Sequence, residues 1–496
     1  MEYARRLFYF KRLFKRRINI MILSAVLAPL IGAFILPLAG KFSKPVRNIL
    51  ALLLVLFPLA ISLSLSPFVL SGKTLISTRI LPLGFNFVFC ADALAVFMAV
   101  VSSLISAIIV MYSFGYISHY ENQNEYYMMV VLFLGSMMGL IYAGNLIFLY
   151  VFWEMTALAS WRLIGFFRAK TDVIRANKSF LITVFGALMM LIGFVLIYQQ
   201  AGSFDLAVIH ERFKAEPVSV LAVGLILAGI FSKSATLPFH TWLPDAGVAP
   251  STVTALLHAA VLVKIGVYAF ARLFVVTIPL LDYWHSVVPF IAGISALVSA
   301  AAALVDTDLK RIIAYSTISQ IAFIFLGLAI GNEVGIAGGL LYILMHGLAK
   351  AGLFLCAGIV EQNTKIKDIT KLGGLAKTMP VTAASFLFCA FSVMGIPPFG
   401  GFFSKYMVMA GALQGGHLFL AGIFLIGAIL TILYLLRVFT LVFLGEAKSK
   451  EVKEGDPLMV FCVGLLAALS LAGGIFIYYP NQVVANVVQQ MLVMQK

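Results

Sequence analysis

The amino-acid chain alternates between long apolar runs and short polar connections, from about residue 21 to residue 479. The runs are close to the roughly 20 residues that an α-helix needs to cross a bilayer. Fourteen runs, called spans 1 to 14 in chain order, cover 21–39, 48–70, 88–113, 126–143, 145–165, 178–199, 218–239, 250–275, 287–305, 310–331, 336–360, 380–416, 418–444 and 458–479. The pattern predicts an all-α polytopic membrane protein with about 14 transmembrane helices and no room for a soluble domain.

Composition agrees with this topology, since apolar residues make up 62% of the chain and charged residues only 11%. A soluble domain carries roughly 25% charged residues. The four cysteines stand singly in apolar stretches, at Cys90, Cys356, Cys389 and Cys462. This spacing is typical of small core residues rather than of a metal or redox centre, so no cofactor or metal site is predicted.

The distribution of Lys and Arg predicts how the chain is oriented. Connections that follow odd-numbered spans carry 17 of these residues, and the even-numbered connections with the C-terminus carry 6. Positively charged loops stay in the cytoplasm. Both termini are therefore expected outside, with the odd-numbered connections inside and the protein in the cell membrane. The net charge of +15 then reflects the cytoplasmic face and does not indicate nucleic-acid binding.

Residues 1–20 contradict this orientation because they hold seven Lys and Arg residues. Three interpretations stay open for this basic N-terminal extension. It is a signal-like segment, an amphipathic surface helix with Phe8, Phe10 and Phe14 in the lipid, or untranslated sequence before a start at Met21. The loops are more numerous and agree with one another, so the orientation follows them.

Two charged residues lie deep inside predicted spans, where an isolated charge costs from about 2.5 to well over 10 kcal/mol. Glu154 is about halfway along span 5, and Lys233 lies in span 7 before Pro238. That proline frees backbone carbonyls beside Lys233, which is tolerated only inside protein or along a wet cavity. We interpret both as titrating sites. A structural ion pair for Glu154 and a snorkelling lysine remain the alternatives.

Further polar residues occur in spans 8, 11 and 12. Span 8 holds His258 and Lys264, span 11 holds His346 and Lys350, and span 12 holds Lys405. His346 and Lys350 are four residues apart, on one face of a helix. Together these residues suggest stepping stones for protons, although each histidine alone is equally consistent with a polar anchor. No two histidines within one span have a spacing that would hold a haem.

A short internal match relates spans 7 and 12. Gly229-Ile-Phe-Ser-Lys233 and Gly401-Phe-Phe-Ser-Lys405 share the pattern G-x-F-S-K and lie beside proline breaks. The two spans cross in opposite directions, which is typical of inverted repeats. The predicted organisation has five units: the extension 1–20, spans 1–3 in 21–125, a first repeat in 126–275, a second in 287–444, and a last span at 458–479. A chance match of five residues remains the alternative.

Three segments resemble a known family. They are Ser232-Lys-Ser-Ala-Thr-Leu-Pro-Phe-His-Thr-Trp-Leu-Pro-Asp-Ala246, Pro250-Ser-Thr-Val-Thr-Ala-Leu-Leu-His258, and Asp308-Leu-Lys-Arg-Ile-Ile-Ala-Tyr-Ser-Thr-Ile-Ser-Gln320. The chain resembles, from about residue 21 onward, the antiporter-like subunits of respiratory complex I, of Mrp-type sodium/proton antiporters (there the D type) and of energy-converting membrane-bound hydrogenases.

The resemblance implies roles for the same polar residues. Glu154 matches the glutamate of the family's fifth helix, Lys233 the lysine of the seventh, and Lys405 a position of the twelfth that is lysine or glutamate. His258 and Lys264 match polar positions of the eighth helix, and His346 a histidine of the eleventh. The family has no redox centre in these antiporter-like chains, so any electron transfer belongs to partner subunits.

The sequence therefore predicts a proton-translocating membrane subunit of a larger redox-driven or Mrp-type complex. Its partners would be other membrane subunits, the lipid bilayer and protons. Sodium stays a family-level option, because no oxygen-rich cation site is evident. Two alternatives remain, namely an ion-coupled solute symporter with a midplane site in the broken helices and a structural scaffold.

Overall fold

The computed structural model describes residues 2–80, 86–448 and 452–495, and it is almost entirely helical. Spans 1 to 6 are the helices Glu2–Phe42, Lys44–Leu70, Ala93–Tyr116, Gln123–Tyr142, Leu146–Ile164 and Lys170–Ala201. Spans 8 to 11 are Ser251–Thr277, Trp284–Val305, Leu309–Ala329 and Glu333–Thr364. Spans 13 and 14 are Leu418–Phe443 and Pro457–Ile475. These twelve helices are long and apolar enough to cross a membrane.

The other two crossings are the broken spans 7 and 12. Span 7 contains the apolar helix Val220–Lys233, followed by a non-helical stretch and the short helix Trp242–Asp245. Span 12 consists of the helices Pro380–Met394 and Gly400–Gln414. With these two, the predicted count of about 14 is confirmed, and so are the predicted breaks. The chain is a multi-pass membrane protein.

Short polar connections both turn the chain and cap the next helix. The side chain of Asn145 accepts a hydrogen bond from the Ile147 N–H at the start of span 5. Asp308 does the same for span 10, and Asn332 for span 11. These caps satisfy backbone donors that have no partner within the helix. Connections of three residues are therefore sufficient before spans 5, 10 and 11.

The break in span 12 depends on glycine. Gly395 adopts a left-handed conformation with φ of 83°, which a residue with a side chain rarely takes. A Cβ at Gly401 would lie 1.8 Å from the Ser392 carbonyl oxygen, so the two half-helices approach too closely for any larger residue. Lys405 follows this break, whereas Lys233 precedes the break in span 7. The G-x-F-S-K match therefore does not mark equivalent points of the two breaks, and the inverted repeat stays a prediction.

Span 3 begins later than predicted. Residues 88–91 belong to an antiparallel hairpin of the strands Leu75–Ile80 and Asn86–Ala91, in which Leu75 lies opposite Ala91. The helix starts after Asp92, whose side chain caps the Ala95 N–H. The apolar strand residues extended the hydrophobic run, and a count of apolar positions cannot separate a buried strand from the helix that follows it.

The two chain ends also differ from expectation. The first helix runs without interruption from Glu2 to Phe42, so residues 2–20 continue span 1 rather than forming a separate surface helix. The side chains of residues 1–15 lie outside the described part, as does any choice between the remaining interpretations of that segment. After span 14, a further helix covers Tyr478–Gln495. An additional short helix, Leu206–Ala215, lies between spans 6 and 7.

The core lies where spans 3, 8, 10 and 11 meet. The most apolar window of span 8 is 100% buried, and those of spans 10 and 11 are 94% buried. Span 2, by contrast, is 28% buried and presents the rest of its surface outward. The predicted polar residues of spans 8 and 11 therefore lie on two of the three most enclosed membrane-spanning helices among the described residues.

Candidate functional site

The structure buries the predicted cationic and imidazole side chains on neighbouring helices, and this set of residues is called the row. Six of the seven predicted site residues are in this row: Lys233, His258, Lys264, His346 and Lys350 are 0% exposed, and Lys405 is 6% exposed. They come from spans 7, 8, 11 and 12. The seventh, Glu154, lies at one end of the row.

Lys233 is the last residue of the first half of span 7, where the break leaves it next to span 5. Its Nζ donates a hydrogen bond of 3.1 Å to the backbone carbonyl of Trp153. The same ammonium lies 5.3 Å from the centre of the Trp153 indole ring, within cation–π range. Lys233 therefore contacts the residue directly before Glu154.

Glu154 is only half-buried, which corrects the expectation, drawn from its place halfway along span 5, that this carboxylate is buried. Its neighbours on the same helical face, Val151 and Leu158, are exposed. The carboxylate interacts electrostatically with Lys233, but no ion pair joins the two among the described residues. One carboxylate oxygen, Oε1, makes no hydrogen bond. Sequence position gave the helix on which Glu154 lies but could not tell which side of span 5 faces outward.

Lys264 and His346 join spans 8 and 11 at the centre of the row. The lysine Nζ and the histidine Nδ1 are 2.8 Å apart. The other ring nitrogen of His346 has no hydrogen-bond partner in the described part of the chain. Neither ring nitrogen of His258 has one, although its ring packs on Phe354 with centroids 4.4 Å apart. His258 lies in a π-helical turn, Leu256–Ala260.

Lys350 does not pair with His346, although the two share a helical face. Its Nζ donates to the Ser316 hydroxyl at 2.6 Å and to the Ile313 carbonyl at 3.2 Å. The Ser316 hydroxyl is 2.6 Å from the Tyr434 hydroxyl. This links Lys350 to a network of neutral groups from three spans.

Three neutral side chains complete that network. Gln320 donates to Tyr434 at 3.4 Å, and Tyr342 donates to Gln320 at 2.6 Å. The sequence reasoning missed these groups because neutral hydroxyls and amides are common in membrane helices. Gln320 ends the Asp308–Gln320 segment quoted above, but nothing in the sequence distinguished Tyr434.

Lys405 ends the row on the far side. Its Nζ donates to the Val393 carbonyl at 2.7 Å, across the break of its own span. The ammonium lies 4.6 Å from the centre of the Phe323 ring and 5.7 Å from that of Tyr342. In the part of the chain that the structure describes, no carboxylate pairs with it.

The row can hold and pass protons because neutral groups surround its lysines. Carbonyls, hydroxyls, an imidazole and aromatic faces stabilise an ammonium without fixing its charge, whereas an adjacent carboxylate favours the charged form. Buried unpaired lysines change their protonation readily. The arrangement is therefore suited to proton exchange, with the Glu154 carboxyl group at its edge.

Two ion pairs at the opposite ends of the bundle were not predicted. Arg272 of span 8 donates to Asp92 at 2.7 Å, and both are almost fully buried. Burial opposes ionisation of Asp92, but the Arg272 guanidinium and the Ala95 N–H hold the pKa of Asp92 below its usual value. Lys310 pairs with Glu361 at 2.7 Å at the other end.

A cavity of about 660 Å³ opens beside the Asp92–Arg272 pair rather than along the row of lysines. The hairpin, the helix Leu206–Ala215 and the C-terminal helix surround it. Its polar lining includes Asp205, His210 and Glu211. These residues lie in even-numbered connections, which the charge pattern predicts to be outside.

Comparison with known proteins agrees with this architecture. A family model described as "NADH:quinone oxidoreductase/Mrp antiporter, TM" matches residues 143–431. A second, described as "NADH-Ubiquinone oxidoreductase (complex I), chain 5 N-terminus", matches residues 79–127. The first match alone covers more than half of the chain and includes all seven predicted site residues.

The chain is also similar to two bacterial proteins named Na(+)/H(+) antiporter subunit A1. It is 34% identical to that of Staphylococcus haemolyticus over 497 aligned residues and 32% identical to that of Staphylococcus aureus over 490. Each alignment covers 91% of this chain and 60% of the relative, so the chain spans about 60% of the length of these relatives. Both relatives are named as the A type, whereas the sequence suggested the D type.

Two solved structures have the same fold. A chain of the Mrp complex from Dietzia sp. DQ12-45-1b superposes with a TM-score of 0.87 at 23% identity, covering 96% of this chain and 97% of the other. A chain of the membrane-bound sulfane sulfur reductase, an archaeal respiratory membrane complex, gives 0.87 at 24% identity, covering 95% and 97%. At these identities the likeness establishes the fold.

Proposed function

The chain belongs to the NADH:quinone oxidoreductase/Mrp antiporter family, and on this premise we propose that it is a proton-translocating subunit of a larger membrane complex. The observation that carries the proposal is the buried row of Lys233, His258, Lys264, His346, Lys350 and Lys405. Burying so many cationic groups in a membrane protein has a high energetic cost. Their presence therefore indicates a function. A row without internal carboxylates favours exchange of protons over static ion pairing.

Glu154 and Lys233 would control the charge of the row. When the Glu154 carboxylate turns towards Lys233, the ion pair favours the ammonium, and Lys233 takes up a proton. When the carboxylate turns away, the buried ammonium loses that support, and the proton passes to the rest of the row. The observed arrangement, with Lys233 on the Trp153 carbonyl and no direct ion pair, corresponds to the separated state.

The remaining members of the row would relay the proton. Lys264 and His346 already share a short contact, and Lys350 joins the hydroxyls of spans 10 and 13. Lys405 would exchange with the opposite side. Moving one charge against 100 mV costs about 2.3 kcal/mol, and a change of about two pKa units between states supplies that amount.

The half-buried Glu154 supports a role within a complex. A carboxylate at mid-membrane on an outer face is costly against lipid but not against a polar partner surface. We therefore propose that another membrane subunit covers this face of span 5 and moves Glu154 by its own charge. The relatives are named as subunits, which supports the same conclusion.

Sodium exchange would be a property of the whole complex and not of this chain alone. The relatives are named Na(+)/H(+) antiporters, and this chain matches 60% of their length. We propose that the row described here carries protons. The exchange for sodium would then require parts of the complex beyond these residues.

Proton movement in inside-out membrane vesicles tests the proposal. Vesicles containing the complex receive a pH gradient, and its decay on addition of Na⁺ is followed with a fluorescent amine. The variant Lys233→Ala is expected to abolish the decay, and Lys170→Ala, which changes an exposed lysine, is expected to leave it intact. Full activity of Lys233→Ala at equal protein level would overturn the proposal. A decay that required an added organic solute would favour a symporter instead.

A further inference from the structure

The cavity of about 660 Å³ reaches from the predicted outer end of the bundle to span 8. The hairpin, the helix Leu206–Ala215 and the C-terminal helix form its walls, and each of them follows an even-numbered span. Thr74, Glu211 and Lys214 line the cavity and are exposed, so it is open to the medium. Arg272 also lines it but is only 4% exposed, so the cavity extends to a side chain inside the bundle.

The guanidinium of Arg272 is held from two sides. Its Nη2 donates to the Asp92 carboxylate at 2.7 Å, and its Nε donates to the Tyr268 hydroxyl at 3.0 Å. The Tyr268 hydroxyl donates in turn to the Ile141 carbonyl of span 4. A guanidinium keeps its proton in proteins. A permanent positive charge is therefore fixed in one position at the inner side of the cavity.

The backbone around Arg272 departs from a regular α-helix. Span 8 ends in a π-helical turn, Ala271–Thr277, and the Thr277 hydroxyl donates to the Arg272 carbonyl at 2.7 Å. Such turns are rare and are often found at functional sites. The Asp92 carboxylate is fixed as well, because it caps the Ala95 N–H at 2.9 Å. Both members of the ion pair are thus positioned by the ends of their helices.

The same face of span 8 leads from the cavity to the centre of the row. Lys264, Tyr268 and Arg272 follow one another at intervals of four residues, which places them on one side of the helix. Eight residues correspond to about 12 Å along a helix axis. Lys264 contacts His346 at 2.8 Å. The cavity therefore reaches within about two helical turns of the centre of the row.

A second opening at this point would bypass part of the proposed relay. Protons that left the row at Lys264 would not pass Lys350 or Lys405, and the gradient would be lost without exchange for another ion. A fixed cation repels H₃O⁺, which is one way in which selective pores exclude protons. The charge of Arg272 stands between the open cavity and Lys264 and is therefore suited to prevent this loss.

We propose that Arg272 is the outer proton barrier of the row. Its permanent charge, held in place by Asp92 and Tyr268, prevents protons in the outer cavity from exchanging with Lys264. A purely structural ion pair would need both of its members equally, whereas a barrier needs the cation. The inference rests on the proposed proton translocation and adds the residue that keeps it coupled.

Two variants that break the same ion pair test the barrier. Asp92→Asn removes the carboxylate and leaves the cation, whereas Asp92→Asn combined with Arg272→Gln removes both charges. The purified complex is placed in liposomes without Na⁺, valinomycin and K⁺ set the membrane potential, and a pH-sensitive dye follows proton entry. We expect the double variant to leak protons at least ~10-fold faster than Asp92→Asn, which stays near the parent rate. Equal leaks would overturn the barrier, because a structural pair is lost in both.

A further change shows whether the leak passes through the row. Lys264→Leu, added to the double variant, is expected to return the leak to the parent rate. A leak that persists without Lys264 would contradict the proposed barrier position. The matched control is Arg212→Gln with Glu216→Gln, which removes an ion pair whose side chains are 46% and 57% exposed. This control is expected to leave the membrane as tight as the parent does.

A milder variant covers the case in which the double variant does not assemble. Tyr268→Phe removes one oxygen atom and releases the Arg272 Nε, so we expect the leak to rise ~2- to 5-fold. Tyr142→Phe serves as its control, since this buried hydroxyl lies 2.8 Å from that of Ser62 instead. Equal leaks for the two phenylalanine variants would also contradict the barrier.

Sodium-driven proton movement by the parent complex separates the two proposals. If the parent moves no protons when Na⁺ is added, the proposed function fails. If the parent does move protons and removal of the Arg272 charge causes no leak, the barrier alone fails.

Discussion

The two broken spans hold their lysines in opposite ways. In span 7, Lys233 precedes the break and reaches outward to another helix, to the Trp153 carbonyl beside Glu154. In span 12, Lys405 follows the break and reaches back to Val393 in the first half of its own span. One lysine therefore depends on a neighbouring helix that carries an acid, and the other depends on its own span and on aromatic faces.

This difference suggests that Lys233 and Lys405 have different roles. The partner of Lys233 lies on span 5, whose outer face would move with a neighbouring subunit. The charge of Lys233 can therefore be controlled from outside the chain. Lys405 contacts Val393, Phe323 and Tyr342, all of which belong to this chain. We infer that Lys233 is the controlled end of the row and Lys405 the end that exchanges passively.

The largest expected difference in the rate of proton movement comes from replacing each of the two lysines, in turn, with a carboxyl group. Lys233→Glu would put two carboxylates side by side at the Glu154 end, where they cannot both be ionised. We expect it to lower proton movement by ~100-fold or more, which corresponds to ~2.7 kcal/mol. Lys405→Glu meets no second carboxylate and can still exchange a proton, so we expect a loss of less than ~10-fold.

The measurement is the initial rate of proton movement in inside-out vesicles, scaled to the amount of complex. The exposed substitution Lys170→Glu serves as the control for an added negative charge. Equal losses of rate for the two glutamate variants would show that the two ends of the row have the same role.

A medium effect is expected from removing the acid itself. Glu154→Gln keeps the size of the side chain but can no longer form the ion pair, so Lys233 loses its charge control. We expect the rate to fall ~10- to 30-fold, or ~1.4 to 2 kcal/mol. The control is Glu216→Gln, which changes a carboxylate with 57% of its side chain exposed. A Glu154→Gln rate equal to that of this control would remove Glu154 from the mechanism.

The smallest effect is expected from the aromatic face at Lys405. Phe323→Leu removes the ring below the ammonium, an interaction worth ~0.5 to 2 kcal/mol, so proton movement should change ~2- to 5-fold. Phe325→Leu on the same helix removes a ring that packs on Phe231 and Phe270 instead. Both variants should lose similar thermal stability. A rate change that is the same in both would assign the effect to packing and not to the cation–π contact.

Most of the fold could be predicted from hydrophobicity. Runs of about 20 apolar residues must cross the membrane as helices because no other open structure satisfies its backbone there. The failures have two different causes. Residues 88–91 are apolar because they pack in a hairpin, and the helix Tyr478–Gln495 is too polar to register as a span.

The sequence by itself determined which groups lie in the membrane, because charges and histidines are costly there and therefore stand out. It predicted seven site residues by chain position. It also placed the breaks in spans 7 and 12, because proline and glycine act locally on the backbone.

Only the tertiary structure decided how these groups are paired. The contacts of Lys264 with His346, of Lys350 with Ser316 and of Glu361 with Lys310 join residues far apart in the chain. Sequence periodicity gives the face of a helix but not the neighbour it meets. The same limit hid the outward position of Glu154, since this position depends on which helices pack together.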